Sequence, residues 1–320
     1  MSTAPSGRPW VRALKIVAVL LTLGYVVREL ARHRDEATRA LAGTTPSWPA
    51  LAASALLVLA AYLILIQVWR ALLAGAGQHL RFWPAARIWT VSNLGKYVPG
   101  KVWQMSAMAV MARDQGVSGV AAAGSAVLST LVTLVTGFAV TMFFGAEVLT
   151  DKRVAIAVAL GLVLAIVAAP RVLPLLGDLA RRLTGREFTL PRLAPRALVL
   201  AVAGSTVAWI LLGLGFHLLA RGLGVAGPAA PASIAAFVGS YLLGFLAVFA
   251  PGGVGVREGA MHLALRQVGV GAGEALVLVV ASRVWLTLLE IGPALVFLAL
   301  GLAGRRPPAL PDADPARPHG

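Results

Sequence analysis

Runs of about twenty apolar residues recur along this chain, and they restrict its fold more than any other feature. A helix rises about 1.5 Å per residue, so roughly twenty apolar residues cross a hydrocarbon layer about 30 Å thick. Stretches such as Pro49–Leu73 and Val120–Phe144 meet that length with few charges. Composition agrees, since 58% of the 320 residues are hydrophobic and 13% are charged, against about 25% charged in a soluble domain. In hydrocarbon, backbone polar groups must be satisfied within the segment, which favours helices. The chain therefore reads as an all-α, polytopic membrane protein.

Six full spans are expected, at about Trp10–Val27, Pro49–Leu73, Val120–Phe144, Val154–Pro174, Ala197–Ala220 and Ala275–Leu300. The basic N-terminus followed by an apolar run resembles a signal sequence. It has no clear small-x-small cleavage site before Arg28, so it reads as an uncleaved first helix. One membrane domain is expected over residues 1–310, with half one at about 10–145 and half two at about 154–303. The proline-rich end, residues 304–320, reads as a disordered cytoplasmic tail.

Two stretches do not fit as simple spans. Phe82–Met111 carries Arg87, Ser92, Asn93, Lys96, Lys101 and Gln104, and is broken at Pro99-Gly100. Ser233–Val270 is broken at Pro251-Gly252-Gly253 and continues through Arg257 and Glu258. Each half-segment is too short to span, and irregular backbone at membrane depth is tolerated only inside protein or beside a wet cavity. Both stretches are expected to be re-entrant helical hairpins, with turns at Pro99, Gly100, Pro251, Gly252 and Gly253.

The net charge is +15, nearly all of it arginine. Most of this reads as topology signal, with attraction to anionic headgroups as the functional alternative. The excess of basic residues on cytoplasmic loops places both termini, and the loop Arg171–Arg196, in the cytoplasm. Arg28, Arg32, Arg34 and Arg39 fit this scheme badly, because they fall outside. The first hairpin then enters from the cytoplasm and the second from the opposite face. Each half becomes span, span, hairpin, span, an inverted-topology repeat. "YVPGKVWQ" aligns with "VFAPGGVGVRE" at the proline and glycine.

The spacing from Gly95 to Gly100-Lys101 mimics a phosphate-binding P-loop. The position after the lysine is Val102 rather than Ser or Thr, and no preceding strand or Walker-B aspartate is visible. Nucleotide hydrolysis is excluded on that ground. The turn instead sets a half-helix N-terminus beside Lys101, an arrangement suited to an anion. The alternative is that Lys96 and Lys101 snorkel to headgroups. Arg257 beside Glu258 is either a local ion pair or a headgroup clamp. The glycines at 252, 253, 255 and 259 suit close helix approach.

In the last span Arg283 and Glu290 lie seven residues apart on one helix face. An arginine in a membrane helix costs about 2.5–3.5 kcal/mol on insertion scales, so it should face a partner or a cavity. His217 reads as a hydrogen-bonded packing residue, and Ser129, Thr130, Thr133 and Thr136 as helix-packing hydroxyls. The scattered histidines and the absence of cysteine predict no metal site and no cofactor. No nucleophile–base pair suited to hydrolysis is visible, so no enzymatic activity is expected.

"SNLGKYVPGKVWQMSAMAVMARDQGVS" and "FAPGGVGVREGA" resemble the signature regions of the flippase-like membrane domain of bacterial lysylphosphatidylglycerol synthase. The resemblance covers nearly the whole chain. It implies a polytopic domain with inverted repeats and re-entrant helices, and phospholipid translocation between leaflets. The chain departs from the family pattern at Trp103-Gln104 and at Ser129-Thr130. Both departures remove negative charge, which argues against a cationic aminoacyl-lipid substrate. The soluble aminoacyl-transfer domain of the synthase does not occur in this sequence, so synthase activity is not expected.

These readings converge on a lipid flippase-like protein of the bacterial plasma membrane. Its headgroup-binding residues would be Lys96, Lys101, Gln104, Arg257, Glu258 and Arg283. The expected partners are membrane lipids with phosphate-bearing headgroups, not nucleic acid. The alternative is a non-transporting subunit that presents a lipid-linked sugar to an envelope glycosyltransferase.

Overall fold

The structure, a computed structural model, describes residues 44–97, 102–145, 194–225, 227–247 and 253–303, together with residues 35, 42 and 153. The spans expected at Trp10–Val27 and Val154–Pro174, the residues Pro99, Gly100, Lys101, Pro251 and Gly252, and the tail lie outside the described residues.

The described residues form eight α-helices and one 3-10 turn, with no strand among them. Helix α1 runs over Trp48–Gly75, α2 over Phe82–Asn93, α3 over Val102–Arg113 and α4 over Gly119–Phe144. The second half repeats this order. Helix α5 runs over Pro195–Gly222, α6 over Ala230–Leu246, α7 over Val256–Gln267 and α8 over Ala272–Ala303. In each half, two short helices stand between two long ones.

Four of these helices, α1, α4, α5 and α8, are long and apolar enough to cross a membrane. They match the expected spans to within three residues at each end. Local chemistry sets the extra length. Pro49 and Pro195 occupy first-turn positions of α1 and α5, where a missing N–H costs nothing. The Ser118 hydroxyl caps α4 by accepting from the Ala121 N–H. Exposed Leu56, Leu63, Val199, Leu200, Leu288 and Leu295 coat the outer surface of these helices, as a hydrocarbon solvent requires. Helices α2, α3 and α7 have 12 residues each. Such a helix is about 18 Å long and falls short of a bilayer.

The centre of the bundle is the contact of α1 with α5. There the Ser54 hydroxyl donates to the Gly215 carbonyl at 2.7 Å, and a Cβ at Gly215 would press on Val58 Cγ2 at 3.0 Å. Trp285 of α8 donates its indole N–H to the same Ser54 oxygen at 3.1 Å. Val58, Trp209, Phe216, Phe237, Leu242 and Leu278 form the main core around this contact. A second core of Trp69, Ile88, Met108 and Ala122 gathers the α2–α3 pair against α1 and α4.

The two short pairs approach from opposite ends of the bundle. The α1 C-terminus, the α2 N-terminus and the α4 N-terminus share one end, where Gln78 accepts from the Ser118 N–H at 3.2 Å. The α1 N-terminus meets the α5 C-terminus at the other end, where the Ser47 N–H donates to the Gly222 carbonyl at 2.8 Å. Helix α6 starts at that second end, with Ala235 beside Gly145 after the α4 C-terminus.

Candidate functional site

Each short pair closes on itself at glycine. In the first, a 3-10 turn over Leu94–Tyr97 continues α2, and Gly95 lies against α3. A Cβ at Gly95 would meet the Gln104 backbone nitrogen at 2.8 Å. The Gln104 side chain donates to Asn93 Oδ1 at 3.2 Å and ties the two helices together. In the second pair Gly253 has φ +69° and Gly255 has φ +85°, a region that glycine enters without strain. A Cβ at Gly253 would meet the Gly244 carbonyl oxygen at 2.7 Å, and one at Gly244 would meet Arg257 Cβ at 2.7 Å.

Helix α8 links the two pairs electrostatically. Arg283 and Glu290 share a face of α8, as their spacing implies, but each turns to a different partner. Glu290 pairs with Lys96 of the first turn, Nζ to Oε1 at 2.6 Å. The Tyr62 hydroxyl of α1 donates to the same oxygen at 3.1 Å. Arg283 pairs with Glu258 of α7, Nη1 to Oε1 at 3.5 Å. The other Glu258 oxygen accepts from the Gly255 N–H and caps α7. Arg283 and Glu290 lie about 16 and 27 Å along α8 from its start, at 1.5 Å per residue, so both belong to the middle of the bundle. Pro293, inside α8, removes the helical bond to the Leu289 carbonyl one residue before Glu290.

Arg257 is not the ion-pair partner of its neighbour. Adjacent helical residues point about 100° apart, and Glu258 turns to Arg283. The Arg257 guanidinium lies over the rings of Tyr241 at 4.6 Å and Phe237 at 5.2 Å. Arg257 is 8% exposed, and its Nη2 has no hydrogen-bond partner among the described residues. It sits in the first turn of α7, where backbone N–H groups and the helix dipole favour an anion.

Beside these charges is a cavity of about 80 Å³, roomy enough for water. Tyr62, Trp89, Thr133, Trp209, Tyr241 and Glu290 supply its aromatic and polar wall. The wall repeats between halves. Tyr62 and Trp209 hold the same position in their 28-residue helices. Trp89 and Tyr241 each precede a Pro-Gly by ten residues. Tyr62 meets Trp89 with the rings tilted by 46° and centroids at 5.7 Å, and Trp209 meets Tyr241 edge to face at 5.3 Å. The equivalence breaks at one place. Glu290 of α8 corresponds to Gly137 of α4, and a Cβ there would meet Trp209 Nε1 at 2.8 Å. The Trp209 N–H donates instead to the Thr133 carbonyl at 2.8 Å. Tyr62 and Trp209 carried no sequence signal beyond being amphipathic aromatics in apolar helices.

The remaining polar residues pack. His217 Nδ1 lies 3.2 Å from the Ser233 hydroxyl. Thr133 contacts Ser205 at 3.2 Å, and Thr130 and Thr136 donate to carbonyls of their own helix.

No curated protein matches the sequence. The sequence model of the lysylphosphatidylglycerol synthase TM region matches residues 12–294, which takes in every helix described above up to the last turns of α8. This multi-pass membrane protein therefore belongs to the lysylphosphatidylglycerol synthase TM-region family.

Proposed function

We propose that the chain is a lipid flippase-like protein of a bacterial plasma membrane that moves a phosphate-bearing headgroup between leaflets. The observation that carries this reading is Arg257, a buried guanidinium at a helix N-terminus with one donor unpartnered among the described residues, lying over two aromatic rings that line a small cavity. A buried charge is costly unless it is compensated, and a bound phosphate would compensate this one with charge-assisted bonds. The role is transporter-like rather than catalytic.

In this reading α2–α3 and α6–α7 are re-entrant hairpins, and the two halves are an inverted-topology repeat. The doubled order of helix lengths, the entry of the short pairs from opposite ends and the repeated aromatic pairs support it. Arg70, Arg81, Arg113 and Arg196 lie toward one end of the bundle, and Arg221 and Arg266 toward the other. The first end is therefore assigned to the cytoplasm, which puts the second hairpin's entrance outside.

A headgroup arriving at Lys96 or Arg283 would compete with Glu290 or Glu258, respectively, for that cation. Exchange of partners along α8 would open one hairpin while the other stays latched.

The test is leaflet-to-leaflet movement of fluorescent phospholipids and of a polyprenyl-phosphate analogue in proteoliposomes. Movement by the wild type, loss in Arg257→Ala and partial recovery in Arg257→Lys are expected. No movement of any lipid above empty vesicles, from well-folded protein, overturns autonomous transport. Co-purification of an envelope glycosyltransferase would then favour a subunit that presents a lipid-linked sugar.

A further inference from the structure

A second cavity lies away from the charged core, on the flank of the bundle. It is a groove of about 380 Å³ between α1 and α5. Ile64, Val68 and Ala71 from α1, with Leu200 and Gly204 from α5, make its apolar walls. Its polar groups are Gln67, Arg70 and His79. Gly204 shapes the inner end, where a Cβ would meet Val68 Cγ2 at 2.6 Å.

The groove faces the bilayer. Leu56, Leu63 and Gln67 are exposed along one stripe of α1, and Leu200 and Val207 along the adjoining stripe of α5. Both helices are long enough to span. The groove has the polarity of an amphiphile. His79 and Ala74 mark its mouth, at the helix ends, while Ile64 and Gly204 lie about 15 Å deeper, at 1.5 Å per residue. Gln67 is exposed on a helix face otherwise coated by leucine, and an amide in hydrocarbon requires partners.

Arg70 is held in place at the polar part. Its Nε donates to the Leu80 carbonyl at 3.0 Å, its Nη1 to Gln67 Oε1, and its guanidinium lies 5.9 Å from the Phe82 ring centroid. A guanidinium carries five N–H donors, more than these contacts use, and a fixed planar fork suits phosphate. No carboxylate occurs among the described residues lining the groove. The groove opens at the end of the bundle that also carries Arg81 and Arg196. Basic pockets between membrane helices favour anionic headgroups.

We propose that this groove is a binding site for one anionic phospholipid. Its phosphate is held at Arg70, Gln67 and His79, and an acyl chain lies against Ile64, Val68 and Leu200. The site is separate from the charged core and stands whether or not the protein moves lipid.

Native mass spectrometry of the full chain tests it, after delipidation and titration with phosphatidylglycerol or phosphatidylcholine. One tightly retained phosphatidylglycerol, preferred over phosphatidylcholine by about tenfold, is expected, because both lipids carry the phosphate but only phosphatidylcholine adds a cation that Arg70 repels. Ala74→Trp fills the mouth from an exposed position and should remove that lipid without changing thermal unfolding of the delipidated protein. Arg70→Gln should erase the headgroup preference. Leu295→Trp, at a likewise exposed position of α8 away from the groove, should leave retention unchanged. Equal retention of the two lipids, or full retention of phosphatidylglycerol by Ala74→Trp, overturns the proposal.

Discussion

The two short helix pairs have similar lengths and opposite chemistry. The α2–α3 pair is tied by a neutral Gln104–Asn93 bond and sends one cation, Lys96, to a carboxylate on α8. The α6–α7 pair is tied by backbone contact at Gly244 and Gly253 and sends a carboxylate, Glu258, to a cation on α8. It keeps a second cation, Arg257, on aromatic faces. Helix α8 therefore meets one pair with its negative side chain and the other with its positive one. Helix α4, its counterpart in the first half, has Gly137 where α8 has Glu290. The two halves share an order of long and short helices, and they differ in where the charges stand.

The largest effect should come from the turn of the second pair. Gly253→Val adds a β-branched side chain at positive φ and drives it into the Gly244 carbonyl. A loss of roughly 3–5 kcal/mol, combining backbone strain with overpacking, should leave little monodisperse protein in detergent. Gly95→Ala adds overlap alone, at negative φ, and should cost about 1–3 kcal/mol. If Gly95→Ala proved the worse of the two in size-exclusion yield, the contrast drawn between the turns would be wrong.

Next is the buried pair of the first half. Glu290→Gln leaves the Lys96 ammonium without its carboxylate and should lower stability by about 2–3 kcal/mol, tempered by the partial exposure of Lys96. Adding Lys96→Met should recover most of the loss in thermal unfolding, since the orphaned charge is then gone. An additive double variant would show that the two side chains do not interact.

Glu258→Gln should cost about 1 kcal/mol, because its partner Arg283 is farther away, at 3.5 Å, and part of the cap survives as an amide. A loss as large as that of Glu290→Gln would erase the asymmetry between the two latches. The smallest change is expected from Gln104→Leu, about 1 kcal/mol or less for one neutral hydrogen bond. Thermal unfolding in matched detergent ranks Gly95→Ala, Glu290→Gln, Glu258→Gln and Gln104→Leu.

Much of this was legible before any coordinates. The four described spans follow from run length, and α2 and α6 end shortly before the Pro-Gly pairs at 99 and 251, because hydrocarbon imposes local rules. Arg283 needed a partner, and it has one. Which partner was not legible. Glu258 was readable as the mate of its neighbour Arg257, yet side-chain direction on α7 gives it to Arg283. Lys96 was readable as a snorkelling or phosphate-binding residue, yet it pairs with a carboxylate 194 positions away.

The sequence by itself determined the solvent, the helical class, the long–short–short–long order and the need to satisfy each intramembrane charge. These depend on segment length, hydropathy and backbone bonding, which are properties of neighbours along the chain. Tertiary structure alone decided the pairing of Lys96 with Glu290, the stacking of Arg257 on Tyr241, and the meeting of Tyr62, Trp89, Trp209 and Tyr241 around one cavity. Those contacts depend on how helices from both halves are rotated and crossed, and helix packing sets that rotation through volumes distributed over the whole core.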